Sequence, residues 1–142
     1  MEAIEKILIT PLAILIFISL IFILLTKNIT NFEKMFIIII FISHILLFTS
    51  YITNDNVLKD YMHLLYLLSV AIGSIIFTNK NLILLLLIIL IVNILFWIMH
   101  GSCPMGDLKT EELLIFNEML KPYINVGMIT IFTILIIKYL KY

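Results

Sequence analysis

Five long apolar stretches dominate the chain, and short polar segments separate them. Each is a nearly unbroken run of isoleucine, leucine and phenylalanine, whereas the strands of a membrane barrel alternate polar and apolar residues over about ten positions. A helix of about 20 apolar residues crosses a hydrocarbon core of about 30 Å, and a somewhat shorter helix suffices in a thin bilayer. The stretches are 7–26, 35–52, 62–78, 82–99 and 124–139. This pattern predicts an all-α fold, a polytopic membrane bundle of about five transmembrane helices.

A sixth, shorter helix is predicted between the fourth and fifth stretches, over residues 110–121. Thr110 is a suitable N-cap, and acidic residues follow it at the positive end of the helix dipole. Pro122 is expected to end the helix. Because its apolar and polar residues fall on opposite sides, we expect an interfacial amphipathic helix that connects two spans and covers the mouth of the bundle. A gate or a partner-binding element is the alternative.

Composition narrows the class of protein but not its activity. The 142 residues are 63% hydrophobic and 13% charged, which leaves room for one transmembrane helical-bundle domain over 1–142 and no separate soluble domain. The net charge is zero and arginine is absent, so nucleic-acid binding is not expected. The first stretch is expected to be a span and not a cleaved signal, because no small-residue cleavage site follows it. The expected partners are the lipid bilayer, other membrane-protein subunits or further copies of this chain.

Lysine positions suggest an orientation in the membrane. With five spans, the amino terminus, 53–61 and 100–123 share what we call the acidic end of the bundle. Residues 27–34, 79–81 and the carboxyl terminus share the lysine-rich end, which carries five lysines against four. The positive-inside rule then places the carboxyl terminus in the cytoplasm and the amino terminus outside.

A candidate metal site lies at the acidic end. His63 opens the third span, His100 closes the fourth, and Cys103 and Asp107 follow at once. A histidine and a cysteine three residues apart can share a metal ion, with a carboxylate or a second histidine completing the shell. One such pair does not specify a metal, and a capped helix end with an inert thiol is the simpler expectation, with no cofactor. The single cysteine excludes a disulfide within the chain.

Polar residues inside the spans are costly, so each of them calls for a partner or a role. His44 lies near the middle of the second span, and Asn93, Trp97 and His100 form a stripe at helical spacing along the fourth. This stripe either lines a polar cavity, a proton path or a ligand pocket, or it holds helices together by hydrogen bonds.

Small residues in the third span predict a close contact between helices. Ser69 and Gly73 are four positions apart and so lie on one face of a helix. We expect them to serve packing and no chemistry.

The segment 62–139 resembles a family of small uncharacterised bacterial multi-pass membrane proteins that is defined only as a domain of unknown function. The resemblance rests on the start His63-Leu64-Leu65, on Gly73, and on Cys103-Pro104, which the family continues as Cys-Pro-Leu-Thr. Here Met105 and Gly106 stand in place of Leu-Thr, and two further helices precede His63. The resemblance implies a fold and no known reaction.

Three functions from different classes follow from these patterns. The first is an accessory or structural membrane protein. The second is a metal- or haem-binding redox subunit, in which haem ligation by two histidines is disfavoured because His44 is expected to lie deeper than His63 and His100. The third is a small channel or transporter, with His44, Asn93 and the Thr/Asn side of the fifth span along a path. No catalytic residue is assigned, because no nucleophile motif such as Gly-x-Ser-x-Gly is present.

Overall fold

The chain forms five helices, and no strand occurs among the residues described. The computed structural model describes the backbone of residues 3–100 and 110–141. Side chains are described for 12–95, for 126–141 and for a few residues near these ranges. The helices are α1 (Ala3–Leu25), α2 (Asn31–Thr53), α3 (Asn56–Ile76), α4 (Lys80–His100) and α5 (Glu111–Lys141). The all-α prediction is therefore confirmed.

A tight turn joins α2 to α3. Asn54 adopts the left-handed conformation (φ 55°), which asparagine tolerates better than most residues, and its N–H donates to the Ser50 carbonyl as the α2 C-cap. The Asp55 side chain then accepts from the Leu58 N–H (2.9 Å) and caps the start of α3. Two residues thus reverse the chain, so the loop predicted over 53–61 is mostly helix.

Polar side chains also cap the first turns of α2 and α4. Thr30 and Glu33 form a capping box, in which each side chain accepts from the backbone N–H of the other residue. At the start of α4, the Asn79 side chain accepts from the Asn81 N–H (3.0 Å). Both caps lie at the lysine-rich end of the bundle, which fixes where the chain enters each helix.

The helices alternate in direction, and the core lies between them. α3 packs against α2, α4 and α5, and α1 packs against α2 and α4. α4 supplies the largest part of the described core because most of its residues from Leu82 to Leu90 are buried. Fully buried aliphatic residues include Ile37, Ile40, Leu47, Leu82, Ile83, Leu85, Leu86, Ile89 and Leu135. Burying a side chain of this size contributes about 1.5–3 kcal/mol in water.

The close helix contact predicted for Ser69 and Gly73 is confirmed at Gly73. Both residues are buried, and a Cβ on Gly73 would lie 3.2 Å from Cδ1 of Leu86 on α4. The absence of a side chain therefore lets α3 approach α4 closely.

The separate interfacial helix predicted over 110–121 is wrong. α5 begins at Glu111, directly after Thr110 as predicted, but it continues through Pro122 to Lys141. Proline removes one backbone N–H and crowds the preceding turn. A helix whose other hydrogen bonds remain can nevertheless continue through it, as many membrane helices do.

The described helices differ in how well they fit a membrane. α2 is long and apolar enough to cross a membrane. Two further described apolar segments, Leu12–Leu25 of α1 and Lys80–Leu95 of α4, are shorter.

Candidate functional site

A polar cluster lies at the centre of the bundle, where α2, α3 and α4 meet. The rings of His44 and Tyr66 pack edge to face with centroids 4.7 Å apart. The Asn93 side-chain amide donates to the Tyr66 hydroxyl (2.6 Å) and to the Ile89 carbonyl (2.8 Å). Tyr66 therefore links the two polar intramembrane residues predicted from the sequence, His44 and Asn93.

The hydrogen bonding of His44 determines which of its ring nitrogens carries the proton. Nδ1 lies 2.9 Å from the Ile40 carbonyl, which can only accept, so Nδ1 is the protonated donor. In the neutral ring Nε2 then keeps a lone pair. Nε2 is buried and has no hydrogen-bond partner among the described residues. The ring is 0% exposed, so this acceptor is enclosed by protein.

His63 lies inside the bundle and not at its surface. It is 6% exposed and stands one turn from Tyr66 on α3, on the same face. The Asp60 carboxylate, a further turn towards the acidic end, interacts with it electrostatically. α3 begins at Asn56, earlier than predicted, and this places His63 within the helix.

The relative depths of His44 and His63 follow from their distances to the turn between α2 and α3. His44 lies nine residues before the end of α2 and His63 seven residues after the start of α3. These separations correspond to about 13 Å and about 10 Å from the shared turn. By this measure His44 lies about 3 Å deeper than His63, in the direction that the sequence analysis expects.

Two residues of the predicted metal site, His63 and His100, lie in the described helices. His63 is placed as described above, and the backbone of His100 is the last residue of α4. The side chain of His100 and the whole of Cys103 and Asp107 lie outside the described residues. Within the described part of the chain, no group of three or more His, Cys, Asp or Glu residues is placed to hold a metal ion. The metal site stays a prediction.

Of the other residues predicted to line a path, the structure describes the side chains of Thr130 and Thr133. The Trp97 side chain lies outside the described residues. Thr130 and Thr133 on α5 are exposed, and each donates to a carbonyl of its own helix four residues earlier. These threonines do not line the interior of the described bundle, and the channel hypothesis stays a prediction.

Glu33 joins two loops at the lysine-rich end. Besides its bonds to Thr30, its carboxylate accepts from the N–H (2.7 Å) and hydroxyl (3.0 Å) of Thr78 and from the Asn79 N–H (3.0 Å). Glu33 is only 2% exposed although it is charged. Charge-assisted bonds of this kind offset the cost of burying a carboxylate.

Lys138 caps the end of α3 next to Glu33. Its ammonium donates to the carbonyls of Ser74 (3.0 Å), Ile75 and Phe77 (3.0 Å). A helix ends with carbonyls that lack partners and a partial negative charge, so a lysine here is favourable. This bond ties α5 to α3.

Asp60 makes the corresponding connection at the acidic end. Its carboxylate accepts from the N–H and the hydroxyl of Thr110, both at 2.7 Å. Thr110 is the residue directly before α5, so Asp60 fixes where that helix begins.

Sequence reasoning missed these end contacts, although one signal was present. Thr30-Asn31-Phe32-Glu33 has the S/T-x-x-E spacing of a capping box. The partners of Glu33, Lys138 and Asp60 are 45 or more residues away in sequence, and no local pattern encodes such pairings.

Comparison with known proteins adds no family to this geometry. No protein family, curated protein or solved structure matches the chain. The resemblance of 62–139 to a family of uncharacterised membrane proteins therefore stays a prediction, and function has to be argued from the residues.

Proposed function

We propose that this chain is a small multi-pass integral membrane protein in which all five helices cross the bilayer, with an accessory or structural role. The observation that carries the proposal is the outer surface of the bundle. Each helix exposes large apolar side chains midway along its length, such as Phe17, Ile42, Leu68, Ile91 and Ile129. A water-soluble protein rarely exposes apolar residues so continuously, whereas a bilayer requires it.

The distribution of charge supports the same proposal. The segments 7–26, 35–54, 61–79, 81–106 and 122–137 contain no Asp, Glu, Lys or Arg. The described charged groups stand near helix ends, where side chains reach water or the headgroup region. Under the positive-inside rule, the lysine-rich end and the carboxyl terminus are cytoplasmic.

The accessory role rests on how the interior polar groups are used. The hydroxyls of Ser43, Ser50, Ser69 and Ser74 donate to carbonyls of their own helices. Glu33, Asp60 and Lys138 bond helix ends and loops, as described above. Most of these polar groups thus bond within one helix or join helix ends, which suits a protein that acts through its packing with lipid, other subunits or further copies of itself.

A small channel or transporter is the second candidate. It is favoured by one observation, the unpaired acceptor of His44 inside the bundle. A metal- or haem-binding redox subunit with His63, His100, Cys103 and Asp107 is a third candidate, which rests on the metal site predicted at the acidic end.

Membrane fractionation tests the proposal directly. The full-length protein is expressed, and its membranes are washed with alkaline carbonate, which removes peripheral proteins. We expect the chain to stay in the membrane pellet and to be released only by detergent. Release by carbonate would contradict the multi-pass proposal.

Metal analysis and visible absorption of the detergent-purified protein test the accessory role against the redox candidate. The accessory role predicts neither a stoichiometric metal nor a Soret band. Either signal would replace it with the redox candidate.

A further inference from the structure

We propose that the lysine-rich end of the bundle is a binding surface for the phosphate groups of anionic phospholipids, with Lys80 as its fixed point. The inference rests on the proposed membrane insertion and names one class of lipid as a partner. It leaves the accessory role unchanged, because binding a lipid headgroup requires no reaction and no path through the bundle.

Charge is divided unequally between the two ends of the bundle. The lysine-rich end carries five lysines and one acidic residue, Glu33, whereas the acidic end carries four lysines and eight acidic residues. Four of the five lysines at the lysine-rich end are exposed, namely Lys27, Lys34, Lys80 and Lys141. Anionic headgroups are therefore attracted to this end of the bundle and repelled from the other.

The single acidic residue of this end does not neutralise the exposed lysines. Glu33 is buried, and its carboxylate accepts from Thr30, Thr78 and Asn79. It interacts electrostatically with Lys138, which is half-buried and bonded to the carbonyls at the end of α3. The described surface of this end thus presents four ammonium groups and no exposed acidic side chain.

Contacts between the loops and helix ends bring three of these lysines to one surface. The Asn79 side chain donates to the Lys27 carbonyl (3.3 Å), which places the segment after α1 beside the start of α4. The Lys80 ammonium lies 4.9 Å from the centre of the Tyr139 ring, which places the start of α4 beside the last turn of α5. Lys141 follows Tyr139 in that same turn. Lys27, Lys80 and Lys141 therefore belong to one surface and not to separate faces of the bundle.

Tyr139 supports the Lys80 side chain and leaves it able to bind an anion. The ring attracts the ammonium through its charge, and the ammonium has three N–H donors. Because Lys80 is exposed, the donors directed away from the ring can reach a phosphate oxygen. The ring also limits the movement of the long side chain, so less conformational entropy is lost when a phosphate binds.

Apolar side chains exposed beside the lysines favour a lipid over a soluble anion. Leu25 is 70% exposed and stands two residues before Lys27, and Leu140 is 78% exposed and stands directly before Lys141. An anionic phospholipid presents a phosphate group and acyl chains together, so it contacts both kinds of side chain at once. A soluble phosphate would contact the lysines and leave the leucines in water.

Spin-label spectroscopy of the full-length protein in phosphatidylcholine vesicles tests the surface. The fraction of lipid that the protein immobilises is compared for spin-labelled phosphatidylglycerol, which is anionic, and for spin-labelled phosphatidylcholine. We expect phosphatidylglycerol to associate about fivefold more strongly, which is the effect of about one lysine near an anionic lipid surface. Sodium chloride at about 1 M should remove most of this preference, because it shortens the screening length to about 3 Å. Equal association of the two lipids at low salt would overturn the proposal.

Lysine substitutions locate the binding surface. We expect Lys80→Gln to remove most of the preference for phosphatidylglycerol, and its combination with Lys27→Gln and Lys141→Gln to remove all of it. Lys6→Gln is the matched control, because Lys6 lies in the first turn of α1 at the acidic end, and it should keep the preference. A preference that survives the triple substitution, or one that Lys6→Gln lowers as much as Lys80→Gln, would overturn the proposal.

Substitution of Tyr139 tests the role of Lys80 as the fixed point. Tyr139→Leu keeps every charge and should still lower the preference, because the Lys80 side chain loses the ring that supports it. An unchanged preference would overturn this role of Lys80.

Two further measurements separate the proposal from its alternatives. Sodium phosphate and sodium chloride at equal, moderate ionic strength should lower the preference equally, and a stronger effect of phosphate would replace the lipid by a soluble anion. The same vesicles are washed with alkaline carbonate. Release of the protein would contradict membrane insertion itself, whereas retained protein without a lipid preference would contradict only the headgroup surface.

Discussion

Tyr66 connects three helices through a single side chain. Its ring contacts His44 on α2, and its hydroxyl accepts from Asn93 on α4. Both N–H groups of the Asn93 amide are used, one by Tyr66 and one by the Ile89 carbonyl. Inside the bundle an amide without partners is unfavourable, which makes this pairing a determinant of how α3 and α4 are rotated.

A double-mutant cycle measures the Tyr66–Asn93 bond. We expect Tyr66→Phe and Asn93→Leu each to lower the stability of the protein in detergent. Their combined effect should be smaller than the sum, with a coupling energy of about 1 kcal/mol. Tyr66→Phe combined with Thr130→Val is the control, because Thr130 is exposed and bonds only its own helix, and these effects should add. Additivity in both pairs would show that the bond contributes nothing.

Gly73 and Gly127 form a matched pair for testing close packing. A Cβ at Gly73 would lie 3.2 Å from Leu86 and 3.3 Å from Phe77, both fully buried, whereas nothing lies within 4 Å of a Cβ at Gly127. Alanine favours helix over glycine by about 0.5–1 kcal/mol. We expect Gly127→Ala to raise the thermal midpoint and Gly73→Ala to lower it, because overpacking costs about 1–3 kcal/mol. Stabilisation by both substitutions would contradict the α3–α4 contact.

The residues of the interior cluster could be predicted from the sequence only one at a time. His44 and Asn93 stand out because ionisable and amide groups are rare in apolar helices. Tyr66 does not stand out, because tyrosine is common in membrane proteins and its role depends on the rotation of three helices. The sequence does not encode that rotation in any local pattern.

At the scale of the helices, the ends carry most of the long-range polar bonds. Lys138 of α5 bonds three carbonyls at the end of α3, and Glu33 of α2 bonds the loop that follows α3. The carbonyls at the end of α3 are therefore satisfied by Lys138 of α5, and the N–H groups of the loop after it by Glu33 of α2.

Substitution of Lys138 tests this arrangement. Lys138→Met keeps most of the apolar stem but removes the ammonium, so the carbonyls of Ser74 and Phe77 lose a donor. We expect a loss of about 1–3 kcal/mol in unfolding free energy and faster amide exchange in the last turn of α3. Lys141→Met, also in the last turn of α5 but exposed, should have little effect. Equal effects of the two substitutions would contradict a specific cap.

Helix ends were harder to predict than helix interiors. The five apolar stretches each lie mainly within one observed helix, because burial in lipid or protein requires the same apolar run. α3 begins at Asn56, six residues before the predicted position 62. Asp55 caps a first turn that contains polar residues, and a search for apolar runs leaves such residues out. α5 runs through Pro122, since one missing hydrogen bond does not outweigh those on either side.

At the scale of the whole molecule, alternation of the helices assigns every connection to one of two ends. Glu33, Thr78 and Lys138 meet at the lysine-rich end, and Asp60 and Thr110 meet at the acidic end. These contacts join parts of the chain that five alternating spans would place at the same end of the bundle. Alternation follows from an apolar pattern with short connections, whereas the neighbours of each helix do not follow from it.

Reporter fusions test how many times the chain crosses the membrane. A reporter fused after Leu58 follows two helices, and one fused after Tyr142 follows five, so we expect them on opposite sides of the membrane. Because the lysine-rich end carries five lysines against four, the reporter after Tyr142 should be cytoplasmic. A third fusion after Lys80, which follows three helices, is the control and should report the same side as Tyr142. If Leu58 and Tyr142 reported one side while Lys80 reported the other, either α4 or α5 would not cross. If Leu58 and Lys80 agreed, α3 would be the helix that stays on one side, and the proposal that all five helices cross the bilayer would be wrong for α3.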